Sequence, residues 1–145
     1  MLEQLENQNL TNKKVLDFGC GSGILSIAAK MLGAKNILAI DIDELSIKSA
    51  KENIKNSEVI EIELYKQSIE DLSRKLIFDM ILANISSNVI SKSDIEIYER
   101  LKKDGLLICS GILTKDSKKI KNEMSSLGFS FLKEEIQGDW ACLIF

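Results

Sequence analysis

Asp17 closes the apolar run Val15-Leu16 and is followed by Phe18, Gly19, Cys20, Gly21, Ser22 and Gly23, after which a helical apolar pattern begins. Closely spaced glycines remove Cβ atoms where a backbone must bend tightly and approach a ligand. Their N–H groups, with the start of the following helix, can face polar ligand atoms, whereas a carboxylate at Asp17 disfavours a bare phosphate there. Asp41 falls twenty residues after Gly21, at the end of a second apolar run. A carboxylate in that place can accept hydrogen bonds from two ribose hydroxyls. Asn84 ends another apolar run, Phe78 to Ala83, and its amide carries both a hydrogen-bond acceptor and donors.

The glycines do not form the dinucleotide fingerprint GxGxxG, because Ile24 stands at the third glycine position, and there is no GxxxxGK phosphate loop. The acid and the glycines suit a cofactor with a nucleoside and an ammonium-bearing tail better than one with a pyrophosphate. S-adenosylmethionine has those parts. Ile42 can pack against its adenine, and Asp43 either contacts the ligand or caps a helix beginning near Glu44. In Cys20 the backbone matters more than the sulfur.

These residues need elements to position them. Leu2, Leu5 and Glu6 start a helical rhythm, Thr11 to Lys14 reads as a turn, and Val15 to Phe18 suits a central strand shielded on both faces. Ile24 to Leu32 is spaced as a helix ending near Gly33, Asn36 to Ile40 as a strand, and Glu44 to Ile54 as a helix with Leu45, Ile47, Ala50 and Ile54 inward. Val59 to Leu64 reads as a third strand, Gln67 to Glu70 as a loop or helix start, and Phe78 to Ala83 as a fourth strand. Asp94 to Lys102 is helix-like, Asp104-Gly105 a turn, Leu106 to Cys109 a strand and Lys115 to Leu127 a helix. Strands over Phe129 to Glu135 and Trp140 to Phe145 flank Gln137-Gly138-Asp139 as a hairpin. Alternation followed by a closing strand pair predicts a doubly wound, mostly parallel α/β sheet with a C-terminal antiparallel strand. Phe78, Phe129, Phe131 and Phe145 are core candidates.

The chain has 145 residues, 45% hydrophobic and 28% charged, which predicts one domain over 1–145 with 1–14 as a partly helical leader. A net charge of −3, with bases interspersed among acids, disfavours bulk capture of nucleic acid. The absence of histidine rules out imidazole catalysis. Cys20, Cys109 and Cys142 show no CxxC spacing, so no metal site is expected and a reducing, cytoplasmic compartment fits best. No run of membrane-spanning length or signal-like leader is present, and no membrane partner is expected.

The ordered motifs resemble the catalytic domain of the ribosomal protein L11 methyltransferase family. The resemblance runs from about Lys14 to the C-terminus through Val15 to Leu25, Ala39-Ile40-Asp41-Ile42-Asp43, Ser68-Ile69, Ala83-Asn84-Ile85, Ser110 to Leu113 and Gly138-Asp139-Trp140. It implies a Rossmann-like class I S-adenosylmethionine-dependent methyltransferase fold. It also implies methyl transfer to protein amines, either lysine side chains or an N-terminal amine, with ribosomal protein L11 or another protein as partner. It sets Ser68 and Ile69 near the adenine and Asn84 at the methyl donor. The family's separate substrate-recognition domain and a glycine/threonine-rich segment are not found before Val15.

A neutral amine attacks an electrophilic methyl group directly, so positioning is the main catalytic demand, and Asn84 is the candidate to meet it. Several of these residues also have structural readings. Asn84 can end a strand, Ser68 can be an N-cap and Ile69 can fill the core. Gly111 to Thr114 and Trp140 either border the amine entrance or serve as a connection and edge packing. Two further functions fit the pattern: a cofactor-binding module inactive without its recognition domain, and a small-amine methyltransferase. An open region around Asn84 points to a protein substrate, and a closed pocket to a small amine.

Overall fold

The computed structural model describes every residue from Met1 to Phe145. After a short helix α1 (Leu2–Glu6), strands and helices alternate as β1 (Lys14–Phe18), α2 (Ile24–Met31), β2 (Asn36–Asp41), α3 (Glu44–Asn56) and β3 (Ile62–Lys66). The second half follows as β4 (Phe78–Asn84), α4 (Ser87–Lys92), α5 (Asp94–Arg100), β5 (Leu101–Leu113), α6 (Thr114–Leu127), β6 (Lys133–Gln137) and β7 (Trp140–Ile144). The seven strands form one sheet in the order β3-β2-β1-β4-β5-β7-β6. Strands β1 to β5 are parallel, and β7 runs antiparallel to both β5 and β6. The chain winds outward from β1 to β3, then restarts beside β1 with β4, so the order reverses between β1 and β4. Ligands of open α/β sheets bind at such a switch point, beyond the carboxyl ends of the strands.

Period-two alternation along the central strands feeds two cores. Leu16, Phe18, Ile81 and Ala83 face one of 18 buried residues that includes Ile90, Ile97, Ile120 and Met124 from α4, α5 and α6. Val15, Met80 and Leu82 face another of 12, with Leu25 and Ala29 of α2. Leu5 and Leu10 of the leader are buried in this second core, so the leader covers part of the sheet. No helix is long and apolar enough to cross a membrane.

Several boundaries differ from the sequence reading. β3 begins at Ile62 because Glu58 and Glu61 take left-handed conformations, with φ of 58° and 65°, between α3 and the strand. The helix expected to reach Lys102 stops at Arg100, since Leu101 already pairs with Phe78. Met80 next pairs with Leu106, so Asp104-Gly105 lies in a bulge of β5. Helix α4 has too short an apolar pattern to stand out in the sequence. The penultimate strand starts at Lys133, which leaves Phe131 43% exposed against the edge of Phe145. Phe78 and Phe145 are buried as expected, whereas Leu45, expected inward, is 74% exposed.

Candidate functional site

The register lines up the three sequence signals. Phe18 pairs with Ile40 on one side and with Ala83 on the other, which sets Asp41, Gly19 and Asn84 level across three adjacent strands. The turn after β1 starts with Gly19 and Cys20, whose N–H groups both donate to the Ile40 carbonyl at 2.9 Å. Gly19, Gly21 and Gly23 all have positive φ. Their missing Cβ atoms serve different ends. A Cβ on Gly19 would overlap Ile85 Cγ2, and one on Gly23 would lie 3.2 Å from Ala50 Cβ, so both glycines allow close internal packing. Gly21 alone of the three has nothing within 4 Å of that position, so its Cα borders open space.

Asp17 is fully buried between the sheet and α2. Ser26 Oγ donates to its Oδ2 at 2.6 Å, while Oδ1 has no partner. Burial, with a smaller push from the nearby charge of Asp41, raises its pKa to about 6 against the opposing hydrogen bonds of Ser26. A buried carboxylate with an orphan oxygen beside a solvent-open glycine fits a ligand carrying positive charge. Cys20 packs with Ala39 and Ala50, and burial pushes its thiol up to about 12, which leaves the sulfur inert and the backbone as its contribution.

Asp41 braces the turn: Gly21 N–H donates to its Oδ2 at 2.9 Å, and Asp43 N–H donates to its Oδ1 at 2.9 Å. Each carboxylate oxygen keeps a second lone pair for a ribose hydroxyl. Ile42, the next residue, is 71% exposed, and Leu45 at the start of α3 is 74% exposed. Asp43 is occupied as the N-cap of α3, accepting from Ser46 N–H at 2.8 Å and Ser46 Oγ at 3.1 Å. Those bonds hold its carboxyl below the usual range. Ser68 Oγ donates to Asp71 at 3.0 Å, and Ile69 lies in the larger core with no exposed surface. The structure thus brings Asp17, Gly19, Cys20, Gly21, Gly23, Asp41 and Ile42 around one turn. It gives Asp43 and Ile69 local structural work.

Asn84 opens on a cleft of ≈ 660 Å³ bordered by Ile85, Ser87, Gly111, Leu113, Asp116 and Trp140 among others. Ile85 N–H donates to the Ser110 carbonyl at 3.1 Å, and the β5–β7 register shifts between Cys109 and Ile112. That irregularity carries Gly111 at φ 76°, where a Cβ would lie 3.0 Å from the Ile85 carbonyl and 3.3 Å from Asn84 Oδ1. Trp140, 54% exposed, stands at the rim, whereas Ile112 is buried. Ser87 and Asp116 escaped the sequence reading because they are 29 residues apart and meet through a side-chain hydrogen bond of 2.9 Å. Only the pair Ser86-Ser87, a start signal for α4, could have drawn attention to that segment. A larger cavity of ≈ 840 Å³ lies at the opposite end of the sheet, between Tyr98, Phe129 and the β5 bulge, and none of these residues lines it.

The architecture recurs in a methyltransferase from Pyrococcus furiosus, with a TM-score of 0.81 at 20% identity, covering 97% of this chain and 78% of that one. Sheet order, switch-point turn and carboxylate at the end of β2 define the Rossmann-like class I S-adenosylmethionine-dependent methyltransferase fold.

Within that class the likeness becomes specific. The family model for ribosomal protein L11 methyltransferase (PrmA) matches residues 1–145, and the chain belongs to that family. It is 37% identical over 131 residues to the ribosomal protein L11 methyltransferase of Acetivibrio thermocellus, covering 90% of this chain and 42% of the relative. The solved ribosomal protein L11 methylase of Lactobacillus delbrueckii subsp. bulgaricus superposes with a TM-score of 0.93 at 33% identity, covering 99% of this chain and 74% of that one. The chain spans less than half the length of the curated relatives it matches.

Proposed function

We propose that this domain transfers methyl groups from S-adenosylmethionine to protein amino groups, lysine ε-amines or an N-terminal α-amine, with ribosomal protein L11 as substrate and the cytoplasm as compartment. The observation that carries the reading is the level placement of Asn84 with Gly19 and Asp41, at the mouth of an open cleft. The openness favours an amine on a protein over a small amine that would be enclosed. The family, and relatives that are themselves ribosomal protein L11 methyltransferases, support the choice of L11. Three free, buried cysteines suit a reducing compartment.

The turn from Asp17 to Gly23 and the Asp41 carboxylate would hold the nucleoside and its charged tail, with Ile42 and Leu45 against the adenine and the Ser68-Ile69 segment beside it. S-adenosylmethionine supplies the electrophilic methyl group when bound. Asn84 Oδ1 accepts a hydrogen of the incoming amine and so aims its lone pair, a positioning role that needs no protein base or nucleophile. Contact with Trp140, Leu113 and Ile85 removes water from the amine, which lowers its pKa and favours the neutral, reactive form.

A radiolabelled methyl-transfer assay against L11, other ribosomal proteins and a panel of small amines tests this. Label on L11 amines and none on the panel is expected. A second reading follows from the chain's span relative to its relatives: a cofactor-binding module that needs further sequence for transfer. Tight cofactor binding with no labelled product on any substrate would favour it and contradict the first.

A further inference from the structure

Asp116 is the single carboxylate among the residues that line the Asn84 cleft. It lies half-buried in the first turn of α6, and Ser87 Oγ, from a residue 8% exposed, donates to its Oδ2 at 2.9 Å. That bond ties the start of α4 to the start of α6 and fixes one oxygen, leaving Oδ1 for a ligand. A second tie holds the same corner, where Thr114 N–H donates to the Asp139 carbonyl at 2.9 Å, next to Trp140. Lys115 is the only other charged residue of the cleft, and its side chain repels a cation.

An aliphatic amine arrives in water as an ammonium ion, since its pKa lies well above neutrality. A cleft that takes such a group needs an anion to offset Lys115, and a neutral amide on the same cleft to receive the amine once its proton has passed to water. We propose that Asp116 is the specificity-determining residue that captures the substrate amine as an ammonium ion before Asn84 orients it. This rests on the amine-methyltransferase reading above. An acid in a first helical turn also complements the helix dipole, and α6 has no side-chain N-cap at Leu113. That role explains helix stability and leaves the Ser87 tie and the placement in the cleft unexplained.

Asp116→Asn removes the charge while keeping an oxygen for Ser87. With S-adenosylmethionine saturating and L11 as the varied substrate, its KM should rise about fivefold with kcat within about twofold of the parent. Asp116→Glu should restore most of the KM, and the difference should shrink in high salt as the attraction is screened. Cofactor affinity should stay at the parent value, and melting temperature should fall by no more than one helix-dipole contact explains. An unchanged KM beside normal transfer would overturn the assignment and leave the amine-methyltransferase reading intact. Matched losses in kcat, cofactor affinity and melting temperature would overturn it in favour of a purely structural acid. A parent chain that methylates no amine would sink both readings.

Discussion

The two halves of the site are built on different plans. In the cofactor half, β1 to α3, the backbone N–H groups of all three glycines and of Cys20 already have partners inside the chain. Gly19 and Cys20 donate to Ile40, Gly23 to Cys20 and Gly21 to Asp41, and Asp43 caps the helix that follows. In the acceptor half, Asn84 and Trp140 stand exposed on an open cleft, and the frame comes from ties between distant segments, Ser87 to Asp116 and Thr114 to Asp139. A turn braced by its own hydrogen bonds before binding is preorganised for a ligand of fixed shape. An open rim suits a partner that brings its own surface. The one conspicuous gap in the first half is Asp17 Oδ1, buried and unpartnered where a charged ligand tail would pass.

Mutations can break this contrast, and the largest effect is expected where the halves touch. Gly19→Ala puts a methyl group into Ile85 Cγ2 at φ 73°, and should lower stability by about 3 kcal/mol in urea unfolding. Gly21→Ala, with φ 53° and open space, should cost only about 1 kcal/mol in the same assay while weakening cofactor binding. Equal losses would show that both glycines serve the same end. Asn84→Ala should reduce turnover about 100-fold with cofactor affinity within about threefold, measured by steady-state kinetics and calorimetry.

Asp17→Asn comes next. The carboxyl's pKa rises from 3.8 to about 6 on folding, so the native state binds the proton more tightly than the unfolded chain. Its contribution to stability is therefore fully present below pH 3.8 and is lost as pH rises through about 6, where a buried charge must be carried. The amide should raise the ligand-free chain's stability at pH 7.5 by about 2 kcal/mol and remove this part of the pH dependence. Cofactor affinity should fall. A variant no more stable than the parent at pH 7.5 would contradict the buried-charge account. The smallest effect is expected from Asp43→Ala, which removes the α3 cap and should lower the melting temperature slightly with little change in cofactor binding. A large loss of affinity there would return Asp43 to the ligand.

The same division explains what the sequence made legible. Residues 15 to 43 carry the whole cofactor turn in one contiguous stretch, so strand, glycines, helix, strand and acid follow from spacing alone. The purposes of the individual glycines did not, because Ile85 and Ala50, which crowd Gly19 and Gly23, belong to other elements. Leu45 has the helical spacing of a core residue but is exposed, since periodicity marks an apolar face without saying what covers it. Ile69 went the other way, into the core. In the second half the helix ending at Arg100 and the bulge at Asp104-Gly105 are set by pairing with β4, a tertiary constraint that overrides local preference. Asn84 could be read because it ends an apolar strand. Ser87 and Asp116 could not, because only folding brings them together.

The proposed function joins a braced cofactor turn to an open Asn84 cleft where a protein amine would be methylated. Intact-mass spectrometry of ribosomal protein L11 after incubation with this chain and S-adenosylmethionine tests it most directly, with Asn84→Ala in parallel. Methyl increments on L11 amino groups are expected with the parent chain, and almost none with the variant although it still binds cofactor. Equal methylation by both chains, or an unmodified L11 in the presence of a cofactor-saturated parent, would contradict it.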